Sequence, residues 1–419
     1  MKLHWQILIA LILAILAGLN TAPGSSLYAG YEFVGELFLN ALKMVIVPLI
    51  MSSIIASMAG LVGGDNLGRL GLKTLAYYTV TSLCAILIGL TLVNISQPGI
   101  INGEAAGASL NLSIDTKQLA STLQQVTGRD GGDMIAIFIR MVPTNIVAAA
   151  AEGQMLGLIF FSLLFGFFMG RIDPQGKQTL SRFWQGAADT MVLITLFIMR
   201  FAPMGVFALV AKTISSTGFA AFQPMLIFLV TVILALLLHA FIVLPLLLKL
   251  LAGLSGRKQL QAMAPALLMA FSTASSSATL PLTMECVQHR AGVSRKTASF
   301  ILPLGATVNM DGTALYECVA AMFIAQAYGL ELGFVTQFTI VLLALLTSIG
   351  VAGIPAASLV AIAVILSAVG LPLEAIGLLL VTDRVLDMLR TSVNIFSDAC
   401  GAVIIAKSEG EKGILEDPN

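Results

Sequence analysis

Between Asp383 and Asp398 the chain reads DRVLDMLRTSVNIFSD, with three aspartates, two arginines and an asparagine inside a stretch otherwise apolar enough to span a membrane. A charge at mid-bilayer costs roughly 3 kcal/mol or more. Such a cluster persists when it faces a polar cavity and has partners, so it marks a binding site. Asp383, Asp387, Arg390, Asn394 and Asp398 recur at steps of four, three, four and four, which puts them on one helical face. Thr391, four after Asp387, sits beside Arg390. An arginine here suits a carboxylate through its two-pronged fork, and an aspartate suits an ammonium. Together they fit an acidic amino acid, with the extra carboxylate going to Arg390. The plain alternative is an internal Asp–Arg pair that knits helices together, and for Asp383 the two readings stand level.

A second constellation is GATVNMDGTALYE, Gly305 to Glu317. Gly, Asn and Asp are poor helix material, so NMDGT is expected to unwind and expose carbonyl oxygens. Carbonyls with Asn309 and Asp311 make a hard oxygen donor set. No Cys or His stands beside them in sequence, which points to Na⁺ rather than zinc or copper. Calcium favours more carboxylates per site. Glu317 is a lone acid in an apolar setting and a candidate proton carrier, or else a hydrogen-bonded structural acid. The hydroxyl-rich run Tyr77-Tyr78-Thr79-Val80-Thr81-Ser82 reads first as helix-to-helix bonding. His4 and His289 lie near span ends and His239 lies in a span with no partner spacing, so no histidine is expected at a site.

These residues need a membrane scaffold. The chain has 419 residues, 58% hydrophobic and 11% charged, where soluble domains carry about 25% charged. A polytopic all-α membrane protein is expected in place of a soluble enzyme. With 22 basic and 22 acidic residues the net charge is zero, which argues against a nucleic-acid partner. Cys84, Cys286, Cys318 and Cys400 show no CxxC spacing and read as packing residues. Stretches able to cross about 30 Å of hydrocarbon fall near 5–22, 32–62, 70–96, 134–170, 181–216 and 222–252. The first follows Lys2 and is read as a retained span rather than a cleaved leader.

After residue 252 the pattern changes. Segments 258–291 and 334–370 are apolar but broken at FSTASSSATLP, Phe271 to Pro281, and at SIGVAGIPAAS, Ser348 to Ser358. Each precedes a helix with a polar centre, 296–328 and 373–406. A break in mid-membrane frees backbone groups that lipid cannot satisfy. Two re-entrant hairpins are one solution and two kinked spans the other. The pairing of broken segments in corresponding halves points to a transporter. Lys and Arg cluster at alternate span ends, which puts both termini in the cytoplasm and makes both hairpins re-entrant. The stretch from Asn94 to Gly132 reads as an external loop, and the tail after Lys407 as charged and frayed.

The serine-rich tip, NMDGT and the D-x3-D-x2-RT-x2-N-x3-D helix together resemble the glutamate transporter family, the dicarboxylate/amino acid:cation symporters. The likeness covers nearly the whole chain and is strongest after residue 258. It implies a homotrimer of eight spans plus two hairpins in inverted repeats, working as an elevator in the cell membrane. Scaffold and trimerisation parts would be 1–69 and 133–216. The transport domain would be 70–98 and 217–407, with an external loop at 99–132 and a cytoplasmic tail at 408–419. The resemblance also assigns substrate contacts to Ser275, Ser276, Thr313, the Gly353–Ile354 backbone, Asp387, Arg390, Thr391 and Asn394. Sodium would be held by the Gly305 carbonyl, Asn309, Asn394 and Asp398; by Tyr78, Thr81, Ser82, Asn309 and Asp311; and by the backbone around Thr307, Met310, Ser348, Ile349 and Val351.

The same likeness implies sodium-driven uptake of aspartate or glutamate. Asp398 favours sodium, because proton-coupled bacterial relatives tend to lack it. Glu317 matches the animal branch, where an acid here goes with proton and potassium coupling; archaeal members usually carry glutamine. The family's second arginine is absent, its two usual positions being Ala274 and Met388. That leaves potassium coupling and the aspartate/glutamate preference open. A proton-coupled, C4-dicarboxylate or neutral amino acid carrier and an anion channel are the alternatives. A serine hydrolase is disfavoured because no base accompanies Ser275–Ser277.

Overall fold

The computed structural model describes residues 3–61, 68–107, 110, 139, 141–152, 154–217, 222–330, 332–348 and 357–416, and it is almost wholly helical. The first helices are α1 (Leu3–Leu19), α2 (Ser26–Leu61) and α3 (Gly68–Ser96). A two-stranded antiparallel turn follows, pairing Ile100 with Ala105 and Ile101 with Glu104. Next come α4 (Ile146–Ala151), α5 (Met155–Met169), α6 (Pro174–Met199) and α7 (Ala202–Thr217). Helix α8 (Phe222–Leu238) widens into a π turn at His239–Val243 and continues as α9 (Leu244–Ala252).

Two helix groups pack separately before they meet. In the first, α1 lies along α7 while α2 packs against α5, α6 and α7. The second holds α3 and α8 with everything after residue 255: α10 (Gly256–Thr273), α11 (Ser276–Glu285), α12 (Arg295–Val308), α13 (Asp311–Ala327), α14 (Phe334–Ser348), α15 (Ala357–Val369) and α16 (Ile376–Ser408). At its centre α13 packs against α3, α8, α14, α15 and α16 and is buried on every face. An apolar helix without a polar stripe belongs in such an interior. Phe33, Leu72, Leu250 and Phe334 lie exposed on the outside, as a lipid-facing surface requires and a water-facing one would not tolerate in bulk.

Among the described residues four helices are long and apolar enough to cross a membrane: Ser26–Ala59, Arg69–Ser96, Gln223–Ala252 and Thr382–Ser408. The pair Pro174–Met199 and Ala202–Ser216, bent by 53°, makes a fifth if counted as one span. Other apolar helices are 10–17 residues long, so length alone gives fewer spans than the expected eight. Two expected spans are not single helices. Stretch 181–216 bends because Pro203 has no N–H to give the preceding turn. Within 134–170, α4 is only six residues long, capped by Asn145 Oδ1, which accepts from the N–H groups of Val147 and Ala148.

In the first broken segment α10 ends at Thr273 and α11 begins at Ser276. Ala274 adopts the left-handed conformation, φ 49° and ψ 39°, and Ser275 is extended, φ −145° and ψ 113°. Left-handed backbone costs a non-glycine residue roughly 1–2 kcal/mol, and here it reverses the chain in two residues. Arg290 Nη1 then donates to Ala262 O at 3.3 Å, bringing the far end of the second arm back to the first. In the second broken segment α14 and α15 pack on each other and on α13. Its tip, with the candidate residues Ile349, Val351, Gly353 and Ile354, lies outside the described residues.

Candidate substrate and cation site

The expected unwinding occurs between α12 and α13. Asn309 leaves the helix at φ −111° and ψ 96°, with its N–H still bonded to Gly305 O at 2.9 Å. Met310 is also non-helical, φ −123° and ψ 60°, and α13 starts at Asp311. Glycine is required at 312 because α16 passes against it: a Cβ would stand 2.8 Å from Arg390 O. The two elements are stitched there, with Gly312 N donating to Asn394 Oδ1 at 2.8 Å and Asn394 Nδ2 donating to Thr313 Oγ1 at 3.1 Å.

Below this junction is a buried cluster of oxygens. Asp311 Oδ1 accepts from Ser82 Oγ at 2.7 Å, and Oδ2 accepts from Ser397 Oγ at 2.6 Å. Asn309 Nδ2 donates to Asp398 Oδ1 at 2.8 Å and to Ser397 Oγ at 3.0 Å. Thr81 Oγ1 lies 3.5 Å from Asn309 Oδ1, and Tyr78 Oη donates to Ile301 O at 2.8 Å. Gly305 faces Asp398 and Tyr78 so closely that a Cβ would collide with the carboxylate and stand 2.6 Å from the phenol oxygen. Two carboxylates, an amide and several hydroxyls on three helices form the kind of set that holds a hard cation. The structure thus gathers Tyr78, Thr81, Ser82, Gly305, Asn309, Asp311 and Asp398. Thr307 bonds locally to Leu304 O, Ser348 to Leu345 O, and Met310 is buried at the break.

About two helical turns before Asp398 lies the charged face of α16. Arg390 is wholly buried, and its Nη2 donates to Asp387 Oδ1 at 2.9 Å and to Asp383 Oδ1 at 3.0 Å. Its guanidinium carbon stands 3.9 Å from the ring centroid of Tyr316, a cation–π contact that helps hold a desolvated cation. Among the described residues its Nε and Nη1 have no hydrogen-bond partner, so donors remain for a ligand carboxylate. Arg384 Nη1 lies 3.7 Å from Asp387 Oδ2, which balances two arginines against Asp383 and Asp387. Thr391 Oγ1 bonds back to Asp387 O at 2.8 Å. Ser275 caps α11 by accepting from Ala278 N, and Ser276 is buried at that helix start. The hairpin reaches α16 through Ser392 Oγ, which donates to Leu267 O at 3.2 Å. Glu317 is fully buried, with Oε2 accepting from Thr347 Oγ1 of α14 at 2.7 Å.

Three residues were not marked by sequence spacing. His239 Nε2 is 3.0 Å from Asp311 Oδ2 and wholly buried, which corrects its placement as a span residue away from any site. Ser397 joins Asn309 to Asp311. Arg384 pairs with Asp387. A serine beside an aspartate carries no signal of its own, whereas Arg384 stood in the charged segment and its pairing required the helix geometry.

The model of the sodium:dicarboxylate symporter family matches residues 3–408. The chain is 36% identical to a proton/glutamate-aspartate symporter of Escherichia coli, over 97% of this chain and 93% of that protein. It is 35% identical to a proton/sodium-glutamate symport protein of Bacillus caldotenax, over 98% and 95%. It is also 35% identical to the mouse excitatory amino acid transporter 3, over 96% and 85%. With its unwound NMDGT, its oxygen cluster and its buried arginine, this chain belongs to the sodium:dicarboxylate symporter family.

Proposed function

We propose that the protein is a sodium-coupled symporter for acidic amino acids, aspartate or glutamate. The observation that carries this reading is the fully buried Arg390, neutralised by Asp383 and Asp387 yet retaining unpartnered Nε and Nη1. A ligand side-chain carboxylate takes those donors, and its ammonium takes Asp387. Thr313, Thr391, Asn394, Ser275 and Ser276 are the further proposed substrate contacts, with the Gly353–Ile354 backbone, which lies outside the described residues, assigned the same role. Sodium is cargo here. Its sites use Gly305 O, Asn309, Asn394 and Asp398; then Tyr78, Thr81, Ser82, Asn309 and Asp311; then the backbone around Thr307, Met310, Ser348, Ile349 and Val351.

The coupling follows from shared parts. Asn394 bonds Gly312 N and Thr313 on one side and belongs to the substrate face on the other. A cation that orders the break at Asn309–Met310 also orders the substrate contacts, so each ligand binds more tightly in the presence of the other. The helix groups supply the moving and fixed bodies of an elevator. Residues 70–98 and 217–407 move; 1–69 and 133–216 form the trimeric scaffold. Eight spans and two re-entrant hairpins sit in the cell membrane with both termini in the cytoplasm.

Proton coupling is the second reading, favoured by the naming of the Escherichia coli relative as a proton symporter. Asp387 beside Arg390 supports an amino acid over a C4-dicarboxylate, and Arg390 disfavours a neutral one. The test is uptake of labelled aspartate and glutamate into proteoliposomes with Na⁺, K⁺ and pH gradients imposed separately. Uptake that follows Na⁺ supports the proposal. Uptake that ignores Na⁺ and follows pH would overturn it in favour of the second reading.

A further inference from the structure

Asp311 is held by three helices, and one of its partners has no role in the function proposed above. His239, in the π turn between α8 and α9, brings Nε2 to 3.0 Å from Asp311 Oδ2 with both side chains excluded from solvent. An ionised carboxylate only accepts hydrogen bonds, so Nε2 carries the proton and donates it. Nδ1 is then the acceptor nitrogen, and it is buried with no hydrogen-bond partner. Ser397 Oγ donates to the same Oδ2, while among the described residues Ser82 Oγ bonds Oδ1. Two donors therefore pin one oxygen of Asp311 and leave the other turned towards the Thr81–Ser82 side of α3.

The π turn is what makes this possible. Pro245 has no N–H and its ring crowds the carbonyl four residues back. The helix opens by one residue, and Leu244 N bonds His239 O five positions earlier. Wide turns of this kind are rare and recur at functional positions. Here the turn delivers an imidazole from α8 onto an aspartate at the unwound start of α13.

We infer that His239 is a positioning residue for cation binding: its Nε2–H fixes Oδ2 of Asp311 so that Oδ1 faces the cation. This rests on the sodium reading above. A histidine that merely packs the helices would set stability, whereas one that aims Asp311 sets the affinity for Na⁺.

The test is aspartate binding to the purified full-length protein titrated with Na⁺, for wild type, His239→Phe and His239→Gln. Phenylalanine keeps the ring and removes the donor; glutamine keeps a donor. His239→Leu replaces the phenylalanine variant if that one does not fold. The donor-less variant should raise the half-saturating Na⁺ concentration about tenfold, the size of one hydrogen bond to a charged group. His239→Gln should recover to within about threefold, and aspartate affinity at saturating Na⁺ should change by less than about twofold in both. A donor-less variant that titrates like wild type overturns the inference, as does a glutamine variant no better than it. If wild-type binding ignores Na⁺, the sodium reading and this inference fall together; if only the variants ignore the substitution, this inference falls alone.

Discussion

Arg390 and Asp387 are each other's counter-ions, 2.9 Å apart on consecutive turns of α16. The two groups proposed to read the substrate's opposite charges thus hold each other in place, and Asp383 adds a third partner at 3.0 Å. A zwitterion with an extra carboxylate can exchange with this pair charge for charge. Replacing Arg390 with methionine takes the cation from buried Asp383 and one of its cations from Asp387, a loss of roughly 3–5 kcal/mol. The expected outcome is no measurable aspartate or glutamate binding and a lowered melting temperature. Asp387→Asn keeps the hydrogen-bonding shape and removes the charge. It should weaken aspartate binding by about tenfold or more while affecting succinate less, because succinate has no ammonium. Competition binding with the two ligands separates these effects.

Arg384 answers the question raised by Met388 and Ala274, where no arginine stands. Its Nη1 lies 3.7 Å from Asp387 Oδ2, on the opposite oxygen from the one Arg390 holds. Asp387 is therefore shared between two cations. Removing Arg384 shifts Asp387 further onto Arg390, which competes with the substrate carboxylate for that guanidinium. Arg384→Gln should lower aspartate affinity about three- to tenfold, within the range of a partly exposed ion pair, with the Na⁺ half-saturation little changed. Titration of aspartate at saturating Na⁺ measures this; tighter binding in the variant would reverse the argued sign.

Gly305 gives a test of the cation cluster from the backbone side. A methyl group there runs into the Asp398 carboxylate and the Tyr78 hydroxyl, neither of which can swing away from its fixed helix without breaking the bonds to Asn309 and Ile301. Overpacking of this kind costs about 1–3 kcal/mol. Gly305→Ala should raise the Na⁺ requirement for substrate binding at least tenfold, read by Na⁺-dependent thermal stabilisation.

Several of these features were legible in the chain because a local rule forced them. The break at Asn309–Met310 follows from Gly, Asn and Asp in one run, and the shared face of Asp383 to Asp398 follows from the helical repeat. The serine-rich run signalled a break, but the left-handed turn at Ala274 and the contact from Arg290 to Ala262 could not be read from the residues alone. His239 was invisible because its partner lies 72 positions away and its aim depends on a π turn that no periodicity reports. Ser397 was hidden by ordinary chemistry, a hydroxyl next to a more conspicuous acid. Pro203 was in plain view, and its bend could have been expected from the missing N–H.

At the end of α16 the tail is tied to the rest of the molecule by acids. Glu409 meets Arg69 and Lys73 at 2.6 Å each. Glu411 accepts from Ser294 N and Oγ at 2.8 and 2.7 Å at the start of α12. The hydrogen bonds from Arg69 and Lys73 hold the Glu409 carboxyl down at about 2, against an ordinary value of 4.5. A depressed carboxyl contributes stability that is fully present above the unfolded value and is lost as pH falls towards the folded one. Wild type and Glu409→Gln should therefore differ in melting temperature above about pH 4.5 and converge as the pH drops towards 2. The difference should shrink with added salt, since the pair is partly exposed. A gap that persists at low pH would assign the tail's hold to packing instead.

Glu317 links the centre of the second helix group to the second broken segment, because its Oε2 accepts from Thr347 near the end of α14. Its other oxygen is buried with no hydrogen-bond partner among the described residues. A fully ionised carboxylate in that position would leave a desolvated charge half satisfied, which is costly. A proton on Glu317 would remove that cost and keep the Thr347 contact. Glu317→Gln mimics the neutral form at nearly constant volume. In proteoliposomes with a fixed Na⁺ gradient, wild-type uptake should vary with internal and external pH, and the glutamine variant should take up substrate with no such dependence. Equal pH profiles for the two proteins would assign Glu317 to structure, as the acid that anchors Thr347 and the arm of α14 against α13.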